Sequence, residues 1–236
     1  MRRLYALLSL ALLIGGCAVP TNFTASKDLP SGFPESIYLQ SEPQYYVYKI
    51  DPDVSQVLVR AYRGGLMARL GHDHIIASQD LQGYLRVHKK TGACRADFYA
   101  PLATLDVDNK TFREAENLDS TPSEKDIIGT KNNMLKSLEQ EYFPFVKVQA
   151  KDCSPAFSGK SITLSMTLHG VTKNLQLGVT FQRIQDNTMT VDGKFSILQS
   201  EFAIKPFSIM NRPLLISFQI LRLNHMQNNY THLEHS

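Results

Sequence analysis

The strongest chemical suspect in this chain is His72-Asp73-His74. In a strand, residues two apart share a face, so both imidazoles would project together. A His-x-His pair is half of a common zinc or copper site. A third donor would have to come from Asp73, His88 or His169. No Cys-x-x-Cys or His-Glu-x-x-His spacing accompanies the pair. The first reading of His72 and His74 is therefore two hydrogen-bonding histidines, structural or facing the polar end of a ligand, and metal ligation is the second. His169 and Lys173 flank a chain reversal at Gly170-Val171-Thr172. They could touch a polar head group, but turn chemistry is the simpler reading, with Gly170 taking an unusual φ and Thr172 bonding nearby backbone. Nucleophile elbow, P-loop and dinucleotide fingerprint are all missing, so no residue is assigned a catalytic role and no resident cofactor is expected.

The three cysteines divide by position. Arg2 and Arg3 precede a short apolar run over 4–14, which ends in Ile14-Gly15-Gly16-Cys17. That arrangement is a secretory leader over 1–16, too short to read as a membrane span. Small residues before a cysteine resemble a bacterial lipobox, so Cys17 is expected to become an acylated N-terminus, the alternative being an ordinary leader with Cys17 a bystander. Ala18 in place of Asp points to the outer membrane by analogy with such lipoproteins. Cys94 and Cys153 then remain as an even pair in an exported protein, expected to form a disulfide, with two separate buried thiols as the alternative.

Without its leader the chain keeps about 220 of 236 residues, the size of one all-β domain. Its formal charge of +3 falls to about +1 once Arg2 and Arg3 are gone, which leaves no electrostatic case for nucleic acid. Residues 17–44 carry Pro20, Pro30, Pro34 and Pro43 without a sustained period and read as a tether. From 45 onward, short alternating runs recur at 45–50, 56–62, 74–77, 83–88, 94–101, 145–151, 161–168, 174–182, 188–198 and 214–224. Many short strands separated by turn residues predict a sandwich or barrel. Thr121-Pro122-Ser123-Glu124 has the form of a capping box, and Ile127, Ile128, Met134, Leu135 and Leu138 recur at helical spacing, which predicts a helix over about 122–140. Residues 106–120 then read as a polar surface loop, and 227–236 as a disordered tail. The apolar stripe along the strands comprises Val57, Val59, Phe98, Met166, Leu168, Val179, Phe181, Phe195, Ile197, Phe202 and Ile204. Alternation alone does not tell a filled core from a lined cavity.

Three segments in order carry a family likeness. Leu164-Ser165-Met166-Thr167-Leu168-His169-Gly170-Val171-Thr172-Lys173-Asn174 forms an alternating run with His-Gly-Val-Thr-Lys at a hairpin tip. Before it stand Ser55-Gln56-Val57-Leu58-Val59 leading to Gly64-Gly65 and Leu70-Gly71-His72, and Met134-Leu135-Lys136 leading to Glu141-Tyr142-Phe143-Pro144-Phe145. Over 45–224 the chain resembles the YceI-like, lipocalin-like domain family. The resemblance implies an antiparallel eight-stranded β-barrel with a helical insertion across one end, over residues 45–226. It also implies non-catalytic binding of a long-chain, isoprenoid-like or fatty-acyl molecule inside, beside a membrane that the acyl anchor would hold. The ligand-facing set expected on that basis is His72, His74, Phe98, Met166, Leu168, His169, Phe181 and Phe202. Metal binding through His72 and His74, or a packed scaffold that docks a membrane partner, are the competing functions. Two departures stand out. Ala203 occupies a place where family members usually carry glycine, and Tyr62-Arg63 stands where many carry a histidine, so contacts of that histidine do not transfer.

Overall fold

A computed structural model of the chain describes residues 29–63, 72–154, 161–185, 188–205 and 213–226. Cys17, the Gly64-Gly65 and Leu70-Gly71 pairs and the 227–236 tail lie outside these residues. The strands are β1 Tyr45–Ile50, β2 Gln56–Ala61, β3 His74–Ser78, β4 Gln82–His88, β5 Cys94–Pro101, β6 Asp106–Val107, β7 Phe145–Cys153, β8 Ser161–Leu168, β9 Val171–Gln185, β10 Thr188–Leu198 and β11 Pro213–His225. All pair antiparallel. The order β1-β4-β5-β7-β8-β9-β10-β11 returns to β1, which closes an eight-stranded barrel.

β2, β3 and β6 continue three of these eight runs past a break. β11 pairs with β1 around Ile50↔Leu223 and with β2 from Gln219↔Gln56 to Leu214↔Ala61. The break between β1 and β2 falls at Asp51-Pro52-Asp53, where the proline fixes φ and the Asp51 carbonyl accepts from the Ser55 amide at 3.0 Å. The wall resumes in nearly the same register, so the barrel bends without opening an edge.

Alternation does what a half-buried strand requires. Along β8, Ile162, Leu164, Met166 and Leu168 are buried while Ser161 and Thr163 are exposed. The hairpin that follows is tighter than the sequence suggested. Chain reversal takes only His169 and Gly170, with φ of 52° and 71°, and Leu168 faces Val171 directly. Both central residues in the left-handed region define a type I′ turn, whose twist matches the strands it joins. A Cβ on Gly170 would lie 2.6 Å from the Phe143 ring, so glycine is required twice over. Residues 171–173 thus belong to β9 and not to the turn.

Cys94 and Cys153 face each other across β5 and β7, 4.9 Å apart at Cα, and are joined as a disulfide. The two cysteines pair directly, and a register shift between Cys94 and Ala96 separates them from the regular ladder that starts at Ala96↔Ala150.

The segment expected as a surface loop is mostly ordered structure. After β6 the chain forms α2, Lys110–Ala115, capped by the Asn109 side chain, and Asp108 and Arg113 are buried. The physical reason is a buried ion pair that a polar sequence conceals. α3 spans Glu124–Ser137, shorter than 122–140. Its capping box is made by Ser123 and Asp126 rather than by Thr121 and Glu124, because Ser123 takes the extended backbone that an N-cap needs. Leu135, with Met134 and Leu138 beside it, packs onto the core at the barrel end, while Ile128 is exposed.

Residues 29–44 are docked on the barrel wall. A helical turn, α1 Ser36–Leu39, buries Tyr38 completely and stacks it on Tyr84 at 5.2 Å. The Tyr38 hydroxyl donates to Asp97, which also accepts from Arg95 and Gln149. Burial and that carboxylate both push the Tyr38 pKa up, so the phenol stays a donor. The described part of the expected tether is thus an outer layer of the domain. Phe33, Ile37 and Tyr38 pack it against Val47 and Tyr84, and the Tyr84 hydroxyl donates to Glu35, without any helical period.

Candidate functional site

Two regions at the barrel interior have chemical character. The first is a cavity of about 180 Å³ inside the barrel. Its walls come from inward positions on successive strands: Val57 and Val59, Leu85 with Leu81 just before its strand, Ala96 and Phe98, Val146 and Val148, Leu164 and Met166, Leu177, Val179 and Phe181, then Val191, Phe195 and Leu223. Register explains the layering. Phe98 faces Val148, and Val148 faces Met166, so three strands place one side chain each in the same row. The Ser78 hydroxyl is the one serine or threonine group in this lining, and it has no hydrogen-bond partner among the described residues.

Of the residues expected to face a ligand, Phe98, Met166 and Phe181 line this cavity. Leu168 and Phe202 are buried but stand outside its wall. The reason lies in how β9 and β10 part. Their ladder runs from Thr188↔Gln185 to Lys194↔Gly178 and stops, after which β10 continues only with β11. A 3-10 turn over Gln199–Phe202 packs against both strands, and Phe202 and Ile204 bury themselves there. Leu168, Ile197, Phe202 and Ile204 therefore plug the capped end together with Leu135. Phe202 and Ile204, read from the sequence as part of the apolar stripe, lie in and just after this turn. Ala203 ends the 3-10 turn with φ 55°, the conformation that glycine would adopt without strain.

His169 also serves this plug. Its Nδ1 lies 3.0 Å from the Phe202 carbonyl oxygen, its Nε2 lies 3.5 Å from Glu139, and its ring meets Phe143 edge-on at 5.3 Å. The imidazole ties the β8–β9 turn to the end of α3 and to the 199–202 turn. It is not part of the cavity wall.

The second region holds His72 and His74. Ala61 faces His74 across β2 and β3, two positions beyond the Val59↔Ile76 pair, so His74 shares the inward face with Ile76 and Ser78. The two imidazole centroids are 4.5 Å apart. His74 Nδ1 is 2.6 Å from Asp108 Oδ2, and Asp108 Oδ1 accepts from the Ile75 amide at 3.1 Å and from Arg113 at 2.5 Å. Arg113 also donates to the Asp73 carbonyl at 2.8 Å and to Ser120, clamping the His72–His74 backbone onto Asp108. Burial drives the Asp108 pKa up, yet His74, the Ile75 amide and Arg113 outweigh it and hold the carboxyl below its usual range. His72 is pushed down, first by burial and then by His74.

Donor atoms of His72, His74 and Asp108 lie within 4.8 Å of one another. The third partner was sought at Asp73, His88 or His169. Asp73 instead turns to Arg60 and Arg63, His88 meets the Lys90 and Thr91 amides, and His169 sits in the plug. Asp108 and Arg113 were missed because a polar stretch reads as solvated. The available signal was Phe112 and Leu118, apolar residues that bury α2 against Leu58, Ile75 and Ala77.

Among the described residues, no helix is long and apolar enough to cross a membrane. No curated protein matches the chain. Solved structures share its fold, two of them as follows. A polyisoprenoid binding domain from Saccharophagus degradans superposes with a TM-score of 0.53 at 13% identity, covering 76% of this chain and 98% of that one. BcnA of Burkholderia cenocepacia gives 0.51 at 17% identity, covering 74% and 98%. Residues 48–220 match the model of the YceI-like domain. A closed eight-stranded barrel with an apolar interior, able to enclose a hydrophobic ligand, and a family match across most of the chain lead to one conclusion: the chain belongs to the YceI-like domain family.

Proposed function

We propose that this protein is a non-catalytic carrier of a long-chain, isoprenoid-like or fatty-acyl amphiphile, held at a bacterial cell envelope by an acyl group on Cys17. The observation that carries the reading is the cavity. It is built from at least one inward side chain on nearly every run of the barrel, and it offers hydrocarbon on all sides. Each methylene transferred there from water gains about 0.8 kcal/mol. A core volume of 180 Å³ that side chains do not fill costs about 4 kcal/mol at the usual rate for residual cavities. A ligand recovers much of that.

Size adds a condition. The volume resembles that of apolar cavities of roughly 150 Å³ that take up one benzene-sized molecule. A longer chain enters by turning side chains aside, and Met166, unbranched with three rotatable bonds, is the residue best suited to yield. With so little polarity in the wall, the interior selects for chain shape, and the head group stays outside. The description of one structural relative as a polyisoprenoid binding domain agrees with this chemistry. A packed docking scaffold would have no use for the cavity.

The test is organic extraction and native mass spectrometry of protein purified from envelope fractions. A co-purifying amphiphile, displaced in Met166→Trp, supports the reading. Protein without lipid that also takes up no added isoprenoid or fatty-acyl probe overturns it. Anchoring is checked separately: Cys17→Ser should move the protein from the membrane to the soluble fraction, and salt-resistant membrane association of that variant would refute the anchor.

A further inference from the structure

The His72–His74–Asp108 cluster is more elaborately built than a barrel rim requires. Arg113 and Asp108 are nearly fully buried, at 4% and 1% exposure, and Arg113 makes five hydrogen bonds that fix the Asp73 carbonyl, Ser120 and the Asp108 carboxylate. Burying such a pair is seldom a gain in stability by itself. Its effect is to position one ring. Asp108 Oδ2 accepts from His74 Nδ1–H, which fixes the tautomer and leaves the Nε2 lone pair of His74 as a donor. The carboxylate–imidazole arrangement is the one that orients histidines bound to metal. Beside it, His72 Nε2 is buried and has no hydrogen-bond partner among the described residues. Buried imidazole nitrogens are ordinarily paired, so this atom lacks a partner of a kind the protein does not supply.

We propose that His72 and His74 bind one divalent transition-metal ion of the zinc or copper(II) type through their Nε2 atoms, with Asp108 as the positioning residue for His74. Two imidazoles on a single ion at metal–nitrogen distances of about 2.0–2.1 Å put their ring centres about 4.5–5.2 Å apart for bond angles between square and tetrahedral. The observed separation is 4.5 Å. Arg113 already balances the charge of Asp108, so the ion keeps its charge, and its remaining positions go to water or to an external donor. With two protein ligands the affinity falls well short of a four-ligand structural zinc site. The inference stands independently of the lipid reading, because neither histidine belongs to the cavity wall.

The experiment uses the full chain bearing Cys17→Ser, so that no free thiol competes, and purified without an affinity tag. Zn²⁺ is titrated by calorimetry, and Cu²⁺ is followed by electron paramagnetic resonance. One equivalent of Zn²⁺, a copper spectrum with two coupled nitrogens, and at least a tenfold loss of affinity in both His72→Gln and His74→Gln are expected. His72 lies outside β3 and is only partly buried, so His72→Gln is expected to keep the fold, checked by circular dichroism. An untouched isotherm in both variants would assign binding to His225, His232 or His235 and overturn the proposal. So would the absence of any isotherm in the parent.

Discussion

Inside the barrel, residues from Val57 to Leu223 surround about 180 Å³ with hydrocarbon and leave it unfilled by side chains. In the second region, Asp108, Arg113 and His74 are linked by hydrogen bonds, and each holds another in place. One region is under-packed and has almost no polar direction. The other is fully determined and costs desolvation. The contrast teaches that precision in this protein is concentrated where charged groups must be aimed, while the interior needs only a slick wall of the right width. On the proposed readings, a loosely filled wall would accept a family of chains and a clamped imidazole a narrow set of partners.

Breaking the clamped region should have the largest effect. Asp108→Ala leaves Arg113 buried without its counter-charge and is expected to cost about 3–5 kcal/mol, read from urea unfolding. A loss under about 1 kcal/mol would mean that the ion pair is solvated in solution. Next comes the covalent clasp of the wall. Replacing Cys94 and Cys153 with serine releases a loop of 59 residues and should cost about 3–4 kcal/mol. Equal thermal midpoints with and without reductant would contradict that figure.

A pair of tryptophans sharpens the contrast within β8 itself. Leu168 and Met166 share a face, but only Met166 borders the cavity. Leu168→Trp enters the packed plug and should cost about 1–3 kcal/mol. Met166→Trp enters free volume and should be neutral or gain about 0.5–1 kcal/mol, as cavity filling does. If the two behave alike by calorimetry, the cavity is not a distinct compartment. The smallest effect belongs to the plug's backbone: Ala203→Gly relieves a left-handed φ of 55° and should gain about 1 kcal/mol. A lower midpoint would show that the methyl group packs better than its backbone suggests.

Much of the barrel was legible in the residues. Period-2 alternation is clean along β8, because a wall with one dry face must alternate, while β1, β4 and β5 also bury consecutive residues. The exported, even cysteine pair pointed to the Cys94–Cys153 bond for a reason of compartment alone. The hairpin tip was less legible. His-Gly does not read as a type I′ turn when asparagine is the usual first residue, so the turn was placed three residues too long.

What the amino-acid sequence by itself determined is the local pattern: which residues face in, where chains reverse, and which histidines share a face. Periodicity carries that information over a few residues, and strand geometry converts it directly into sidedness. Only the tertiary structure decided which inward residues line a cavity and which fill the plug, since that depends on where β9 and β10 part and what fills the wedge between them. It alone brought Asp108 to His74 across 34 residues and Arg113 to Asp108 and the Asp73 carbonyl, because burial of a charged side chain is set by the elements that close over it and not by its neighbours in the chain.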